Sequence, residues 1–499
     1  MADLGAIAQS LWRRGQSVLM DLRSLGDEKL RPPDHEATEA LATLLGRVQQ
    51  ISIAVAENLA DDRHMCSTDP STAQLEKHKL ELARALRSLH TLVAAGMVAA
   101  EWTSPSVRYS VHSAAGRRSD RVQLYHDDYT RDRHWDALVF EQEWVRQYVD
   151  HHPACEPVAL MTSSGMAAFI TVLHYVCNTV TRGPVLMGSG CYHECAQLID
   201  TSFLADRVVK VKDTDTAEWV RAVESLRPAA IFVDSLCNSL SMALPDIGAI
   251  MGKLTERDLQ SYVVIDNTGL TIGYQPWDRP TVPDGLIVFE SLTKCAQFGL
   301  DGTPAGMIVT SESHAHKLDS LREHLGTNVT HMAVGQIPLP NRLLFEKRIA
   351  RLGRNCERLA RKTDNSLRSR GMPAKVISPV LPGHPSVSVA RRYAFRGPFF
   401  GISLARQADS HAARRSLVDA VIDEARRRRV PLIEGNSFGF DTTRIYLTAP
   451  DDAKGAPFVR IAPGTEHSDG IERVADVLVA ALDLVLGPSQ PAPTGTTAS

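Results

Sequence analysis

The sequence predicts an α/β fold: a large domain with a mostly parallel sheet in a three-layer αβα arrangement, a small C-terminal α+β domain and a helical N-terminal extension. Short apolar runs alternate with helical patterns between about residues 157 and 310, which is typical of βαβ units. Two of these runs lead into side chains suited to a cofactor, Asp266 and Lys294. Beyond residue 386 short strand-like runs mix with amphipathic helices, as in a small α+β domain.

We divide the chain into five segments: a helical N-terminal extension over 1–110, a large cofactor-binding domain over 111–315, a connecting helical segment over 316–370, a small C-terminal domain over 371–486 and a disordered tail over 487–499. In the extension, apolar residues recur at three and four spacing over 41–56 and 75–99, which favours helices used for packing or subunit contact. The alternative is that the extension covers a bulky substrate. The tail is mostly Pro, Gly, Ser, Thr and Ala, which favours disorder.

Composition points to a small-molecule substrate. The 499 residues carry a net charge of −3, so no general attraction to nucleic acid or to an anionic membrane is expected. The eight cysteines show no C-x-x-C spacing, which suits a reducing cytoplasm. The first residues lack a basic start followed by an apolar stretch, and we find no run of about 18 apolar residues. We therefore expect a cytoplasmic protein that is neither secreted nor inserted in a membrane.

The elements follow in order along the chain. The predicted strands are 158–161, 185–187, 231–234, 262–266, 286–289 and 305–309 in the large domain, then 387–394, 399–404, 444–447 and 458–461 in the small one. The predicted helices are 163 to about 176, 247–254, a charged helical stretch over 316–370, 410–429 and 470–486. Right-handed crossovers bring the carboxyl ends of parallel strands to one edge of the sheet, where ligands bind.

The stretch Ser291-Leu292-Thr293-Lys294 follows the buried run 286–289. A lysine at such a strand end can form a Schiff base with pyridoxal 5'-phosphate (PLP), and the hydroxyls of Ser291 and Thr293 can reach the phosphate. Alone, this motif is more often a solvated strand end. Asp266, which ends the run 262–266, can pair with the protonated pyridine nitrogen. The two motifs together favour a PLP site.

Further side chains suit the same cofactor. Ser163-Ser164-Gly165-Met166 opens a helix, whose free N–H groups form an anion site. Tyr192 or His193, just after a strand, could stack on the pyridine ring. Each pattern is also common without a ligand, as an ordinary helix start or strand end.

Two charged positions have both a structural and a functional interpretation. In Tyr129-Thr130-Arg131, the arginine and tyrosine could bind a phosphate, although such a tripeptide is usually a surface loop. Arg460 lies in an apolar strand, where a charge needs a partner. A structural salt bridge is the usual partner, and a substrate carboxylate is the functional one.

Taken in order, these motifs resemble the cystathionine γ-synthase-like (Cys/Met metabolism) family of fold-type-I PLP-dependent enzymes. The resemblance covers about residues 125–485, and the first 110 or so residues have no counterpart. It rests on Ser164-Gly165-Met166-Ala167-Ala168, Tyr192, Asp234-Ser235-Leu236-Cys237-Asn238, Val264-Ile265-Asp266-Asn267-Thr268, Ser291-Leu292-Thr293-Lys294 and Phe458-Val459-Arg460-Ile461.

The resemblance implies a role for each matching residue. The cofactor would be held by Ser164, Gly165, Met166, Ser291 and Thr293 at its phosphate, Asn238 at its phenolic oxygen, Asp266 at its pyridine nitrogen, Tyr192 by stacking, and Lys294 through the Schiff base. Lys294 and Tyr192 would be catalytic, and Arg460 with Ser437 would bind the substrate α-carboxylate. Tyr129 and Arg131 resemble a pair that reaches the phosphate from an adjacent subunit, which implies a homodimer or homotetramer with shared active sites.

This sequence departs from the family pattern near the substrate. Asp234-Ser235-Leu236-Cys237-Asn238-Ser239 stands where Glu-Thr-Pro-Ser-Asn-Pro is usual, and Asp132-Arg133-His134-Trp135 replaces Gly-Asn-Pro-Thr. His193 and Glu194 replace small residues after Tyr192. These changes concern the substrate pocket more than the cofactor.

The implied function is PLP-dependent chemistry on an amino acid with a leaving group at Cγ, such as an activated homoserine or S-adenosylmethionine. The reaction would be γ-replacement or γ-elimination through a vinylglycine-type intermediate, with a second, nucleophilic substrate for replacement and a role in specialised metabolism. The alternatives are a PLP-dependent β-lyase acting on cysteine or cystathionine, an aminotransferase, and a non-catalytic binding protein of the same fold. A nicotinamide-binding enzyme is poorly supported, because the expected G-x-G-x-x-G motif is missing.

Overall fold

The computed structural model describes residues 42–43, 46, 80–81, 83–91, 135–405, 410–448 and 457–486. Residues 80–81 and 83–91 are helical, in agreement with the helix predicted over 75–99. Most of the N-terminal extension, the predicted phosphate contacts Tyr129 and Arg131, and the tail over 487–499 lie outside the described residues. The division into five segments therefore stays a prediction.

A seven-stranded sheet organises the first part of the described chain. Its strands are β1 Pro157–Thr162, β2 Val185–Gly188, β3 Val208–Val211, β4 Ala230–Asp234, β5 Tyr262–Asp266, β6 Leu286–Ser291 and β7 Gly306–Ser311. They lie in the order β1-β7-β6-β5-β4-β2-β3. Strands β2 to β6 are parallel to one another, and β7 runs antiparallel to both β1 and β6. The prediction of a mostly parallel sheet is confirmed.

Helices cover both faces of this sheet. They are α1 Trp135–Tyr148, α2 Gly165–Thr179, α3 His193–Asp200, α4 Thr216–Leu226, α5 Ile247–Glu256, α6 Glu312–His324 and α7 His331–Gln336. Alternate residues of a strand point to opposite faces. Accordingly, Ile231 and Val233 belong to one apolar cluster and Phe232 to another. The predicted three-layer αβα arrangement is confirmed.

A five-stranded sheet organises the C-terminal part. It contains β8 Ala374–Ile377, β9 Phe400–Leu404, β10 Ile433–Glu434, β11 Arg444–Leu447 and β12 Val459–Ala462, in the order β10-β11-β12-β9-β8. The helices of this part are α8 Arg342–Ser369, α9 Val387–Ala390, α10 His411–Arg428 and α11 Ser468–Leu486. A third apolar cluster joins this sheet to α8, α10 and α11, which is the core of a small α+β domain.

Two predictions, for residues 387–394 and 316–370, need correction. The strand predicted over 387–394 is wrong, because Ala390 N donates to Ser386 O and Arg391 N donates to Val387 O, which closes a helical turn. The helical stretch predicted over 316–370 is divided among α6, α7 and α8. Gly326, with a φ of +66°, lies just after α6, and two prolines at 338 and 340 precede α8, so a continuous helix cannot form.

Within the ranges given above, the chain contains no helix that is both long enough and apolar enough to cross a bilayer.

Candidate active site

The carboxyl ends of three neighbouring parallel strands bring the predicted cofactor residues together. Asp234 ends β4 and Asp266 ends β5, and their Cα atoms are partners in the register of the two strands. Ser291 ends β6, which is the next strand. The start of α2, which follows β1, packs against Ser291. The site therefore lies at the sheet edge where ligands of open α/β sheets bind.

Lys294 lies three residues beyond the end of β6. Its Nζ donates to Ser437 Oγ at 2.8 Å, and the ring of Phe438 lies 5.6 Å from Nζ. Burial lowers the pKa of the Lys294 amine, the positive charge of Arg460 lowers it further, and the charge of Asp266 opposes both. A lowered pKa favours the neutral amine, which is the nucleophilic and basic form.

The start of α2 forms a cradle closed by hydroxyl groups. A Cβ added at Gly165 would lie 2.6 Å from Ser291 Cβ and 2.9 Å from Ser291 Cα, so only glycine permits this close approach. The hydroxyls of Ser291 and Thr293 lie 2.8 Å apart. Ser164 is the N-cap of the helix, and its Oγ accepts from Ala167 N at 2.9 Å. The backbone N–H groups of Gly165 and Met166, in the first turn, suit an anion such as a phosphate.

We expect Gly165→Ala to lower PLP affinity by about tenfold, because relieving such an overlap costs about 1–3 kcal/mol and displaces Ser291 from the cradle. Titration of the apoprotein with PLP, followed by visible absorbance, measures this change. Gly252→Ala in α5 is the matched control, since a Cβ there would meet nothing within 4 Å. A Gly165→Ala variant that binds PLP as tightly as the Gly252→Ala variant would contradict the assignment of the cradle.

Asp266 is fixed by its neighbour Thr268. Its Oδ1 accepts from Thr268 N at 2.9 Å, and Thr268 Oγ1 accepts from Ser291 N at 2.9 Å. Burial raises the pKa of the Asp266 carboxyl, while the bonds from Thr268 and the charge of Lys294 lower it. Thr268 thus ties the carboxylate to the cradle, a role that we did not predict. Its position two residues after an aspartate at a strand end is typical of an Asx turn and could have indicated it.

Tyr192 precedes α3 and is held by its backbone. Its N–H donates to Asp234 Oδ2 at 2.9 Å. Burial raises the pKa of the Tyr192 hydroxyl, and the carboxylate of Glu194 raises it further, so the phenol stays protonated at neutral pH. Burial and the charge of Asp266 also raise the pKa of Asp234. Tyr192 can therefore donate a proton, and Asp234 positions it.

Arg460, in β12, is a buried cation with 3% of its surface exposed. Its Nη1 donates to Asn238 Oδ1 at 2.9 Å, and its Nη2 donates to Asn436 Oδ1 at 2.7 Å and to Ser437 O at 3.4 Å. Burial lowers the pKa of its guanidinium to about 10. Among the residues that the structure describes, no carboxylate forms an ion pair with Arg460. The structural salt bridge considered from the sequence is therefore not found among these residues.

Of the predicted site residues, Ser291 and Thr293 lie at the start of α2, where Ser164, Gly165 and Met166 stand. A second set is linked by hydrogen bonds, from Lys294 to Ser437 and from Arg460 to Ser437 O and Asn238. Asp266 and Tyr192 act electrostatically on Lys294 and Arg460, respectively. Asn436, which orients Arg460, was missed, although it adjoins Ser437 in the sequence.

These residues fit PLP. Gly165 lets Ser291 approach the start of α2, so the hydroxyls of Ser291 and Thr293 lie beside the free N–H groups of the helix, which is the donor set that a phosphate requires. A buried lysine with a lowered pKa and a buried carboxylate lie at the same strand ends, where the aldehyde and the pyridine nitrogen of the cofactor need them.

Comparison with known proteins agrees with this fit. Residues 127–422 match the family described as Cys/Met metabolism PLP-dependent enzymes. The bifunctional enzyme flvA of Aspergillus flavus is 28% identical over 335 residues, which are 65% of this chain and 39% of that protein. The chain thus spans well under half the length of this curated relative.

Solved structures share the fold. Cystathionine γ-synthase from Xanthomonas oryzae pv. oryzae, in complex with aminoacrylate and cysteine, superposes with a TM-score of 0.59 at 19% identity, over 77% of this chain and 94% of that one. The structure of metB from Corynebacterium glutamicum gives a TM-score of 0.58 at 20% identity, over 75% and 92% of the two chains. Since the family match covers more than half of the sequence, the chain belongs to the Cys/Met metabolism family of PLP-dependent enzymes.

Proposed function

We propose that this protein uses PLP to act on an amino acid with a leaving group at Cγ, an activated homoserine or S-adenosylmethionine, by γ-elimination or γ-replacement. The observation that carries the proposal is Arg460, a buried cation whose described partners are neutral oxygens and which Ser437 connects to Lys294. Such a cation needs a carboxylate. The site is thereby suited to an amino acid, whose carboxylate and amino group lie one carbon apart.

The binding roles follow from the same contacts. The substrate α-carboxylate would pair with the guanidinium of Arg460, beside the Ser437 backbone. Asn238 Oδ1 accepts from Arg460 Nη1, which would leave Asn238 Nδ2 to donate to the phenolic oxygen of PLP. Asp266 would hold the proton on the pyridine nitrogen, and Tyr192 would cover the ring. We also propose that Tyr129 and Arg131 of a second subunit complete the phosphate site, in a cytoplasmic homodimer or homotetramer.

When bound, PLP supplies a carbonyl carbon for the substrate amine and an electron-withdrawing ring that stabilises negative charge at Cα. Lys294, with its lowered pKa, would remove the α-proton and pass it to the carbon derived from the cofactor carbonyl. As a neutral amine again, it would remove a proton from Cβ, and the electron pair left there would expel the group at Cγ. Ser437 Oγ accepts from Lys294 Nζ and so keeps the amine near both carbons. Tyr192, protonated at neutral pH, donates a proton to the departing group or to the carbon skeleton.

The test is product analysis of the PLP-loaded protein with O-acetylhomoserine, O-phosphohomoserine, S-adenosylmethionine, cysteine and cystathionine, with and without thiol or amine nucleophiles. We expect 2-oxobutanoate with ammonia, or a Cγ-substituted amino acid when a nucleophile is present. In D₂O, γ-replacement incorporates deuterium at Cα and Cβ of the substituted amino acid, whereas γ-elimination incorporates it at Cβ and Cγ of 2-oxobutanoate. Pyruvate from cysteine or cystathionine would assign a β-lyase instead. With a 2-oxo acid added as amino acceptor, a keto acid that retains its Cγ substituent and forms without ammonia would assign an aminotransferase.

A further inference from the structure

Residues 436–441 form a loop, which we call the serine loop, that carries Ser437 from the small domain to Lys294. Two of its residues have left-handed backbone conformations, Ser437 with a φ of 73° and Gly439 with a φ of 84°. This conformation is costly for serine and persists only where the surroundings impose it. The contacts of the serine loop must therefore explain why Ser437 is held in this way.

The serine loop rests directly on the backbone of the cofactor lysine. A Cβ added at Gly439 would lie 2.9 Å from Cys295 N and 2.9 Å from the carbonyl carbon of Lys294. Phe438 is 6% exposed, and its ring packs against that of Phe399 with 5.0 Å between centroids. The loop thus contacts the lysine through its backbone at Gly439 and through the hydroxyl of Ser437.

Arg348 holds the serine loop through two hydrogen bonds. It belongs to α8 and is 5% exposed. Its Nη2 donates to Gly439 O at 2.8 Å and its Nη1 donates to Asp441 Oδ1 at 3.0 Å. A Cβ added at Gly299, with a φ of +82°, would collide with Arg348 Nη2, so the chain just beyond Lys294 is shaped to admit this guanidinium.

Asp441, which accepts from Arg348, is itself held by Thr465. Asp441 Oδ1 also accepts from Thr465 Oγ1 at 2.7 Å, and Thr465 N donates to Asp441 O at 3.0 Å. A planar guanidinium that holds a carbonyl and a carboxylate two residues apart fixes both the position and the orientation of the turn between them. A lysine in its place would offer a single charged point without that geometry.

We propose that Arg348 is a positioning residue: by holding Gly439 O and Asp441, it places Ser437 Oγ where it receives the hydrogen bond from Lys294 Nζ. Arg348 acts through the serine loop and contacts neither substrate nor cofactor. The inference rests on the proposed function only in taking Lys294 as the cofactor lysine. It adds that the long helix α8 sets the geometry of the amine that moves the protons.

The test compares Arg348→Lys with Arg354→Lys, a matched control at an exposed arginine of the same helix. We expect hydrogen–deuterium exchange in the apoprotein to become about tenfold faster in residues 436–441 for Arg348→Lys, as expected for the loss of a net hydrogen bond or two. Exchange in β9 and β12 should stay unchanged. Uniformly faster exchange across the small domain, or no change in the serine loop, would overturn the proposal.

Turnover gives a second, separate readout. Displacing the amine by about an ångström can cost about 100-fold, so Arg348→Lys should lower kcat by about 10- to 100-fold with little change in KM. In a Ser437→Ala background, the same substitution should have almost no further effect, because Arg348 acts through Ser437. If Arg348→Lys lowers kcat in the Ser437→Ala background by the same factor as in the wild type, the proposal is overturned. If Arg348→Lys does not fold, Asp441→Ala removes the carboxylate that accepts from Arg348 and must show the same pattern.

The two readouts separate this inference from the proposed function. The exchange measurement needs neither substrate nor PLP, so faster exchange confined to the serine loop would support the positioning role even if none of the candidate amino acids reacts. Normal turnover of a γ-substituted amino acid by Arg348→Lys would overturn the inference and leave the proposed function intact.

Discussion

Replacing Lys294 with alanine is expected to abolish turnover, with a loss of about 10⁴-fold, the upper end of what a positioned general base contributes. In our proposal the residue supplies both the amine that holds PLP and the base that moves protons between carbons. Its Nζ is buried with a lowered pKa and is held by Ser437 Oγ at 2.8 Å. Among the residues described, no second lysine is assigned to this site.

The measurement is turnover together with the visible spectrum. The wild type should show an absorbance band at about 420 nm that borohydride bleaches, as expected of PLP linked to a lysine. The Lys294→Ala protein should lack this band. Lys317→Ala, at an exposed lysine of α6, controls for the loss of a positive charge. A Lys294→Ala protein that still turns over at the rate of the control would refute the assignment of Lys294. A wild type that stays colourless with added PLP would leave only a binding protein of this fold.

Much of the large domain could be predicted because its signals are local. Strands β5 and β6 contain continuous apolar runs, Asp266 ends β5, and Lys294 lies three residues beyond β6. The start of α2, a run of small residues shortly after β1, could be recognised from the sequence in the same way. Strand β3 was missed because it lies at the sheet edge, where Val209 is 39% exposed, so it lacks an apolar run.

The part that could not be predicted depends on long-range contacts. Arg460 and Asn238, which share a hydrogen bond, are 222 residues apart, and Arg348 lies 93 residues from Asp441. Neither pairing leaves a periodic signal. The run at 387–390 alternates as a strand would, yet it forms a helical turn, because four residues are too few for periodicity to distinguish the two. Family resemblance supplied the role of Arg460, whereas its partner Asn436 emerged only from the fold.

Replacing Asp266 with asparagine is expected to lower kcat by about 10²–10³-fold, the range measured when one preorganised electrostatic group is removed from an active site. The substitution conserves volume and keeps an oxygen that can accept from Thr268 N, but it removes the negative charge. Without that charge the pyridine nitrogen loses its proton, and the ring no longer stabilises negative charge at Cα. PLP content, measured by absorbance after alkaline release, should stay near that of the wild type, since the phosphate cradle is intact.

Asp234→Asn gives the matched comparison for this variant. Asp234 occupies the same register position on the adjacent strand β4, but its Oδ2 accepts from Tyr192 N, a bond that the asparagine oxygen can preserve. Because Asp234 holds the backbone of Tyr192 and is not the carboxylate assigned to the pyridine nitrogen, the loss of kcat should stay within about tenfold. Equal losses for the two variants would mean that neither carboxylate is specific to the pyridine nitrogen. A large loss confined to Asp266→Asn would separate the carboxylate that activates the cofactor from the one that positions Tyr192.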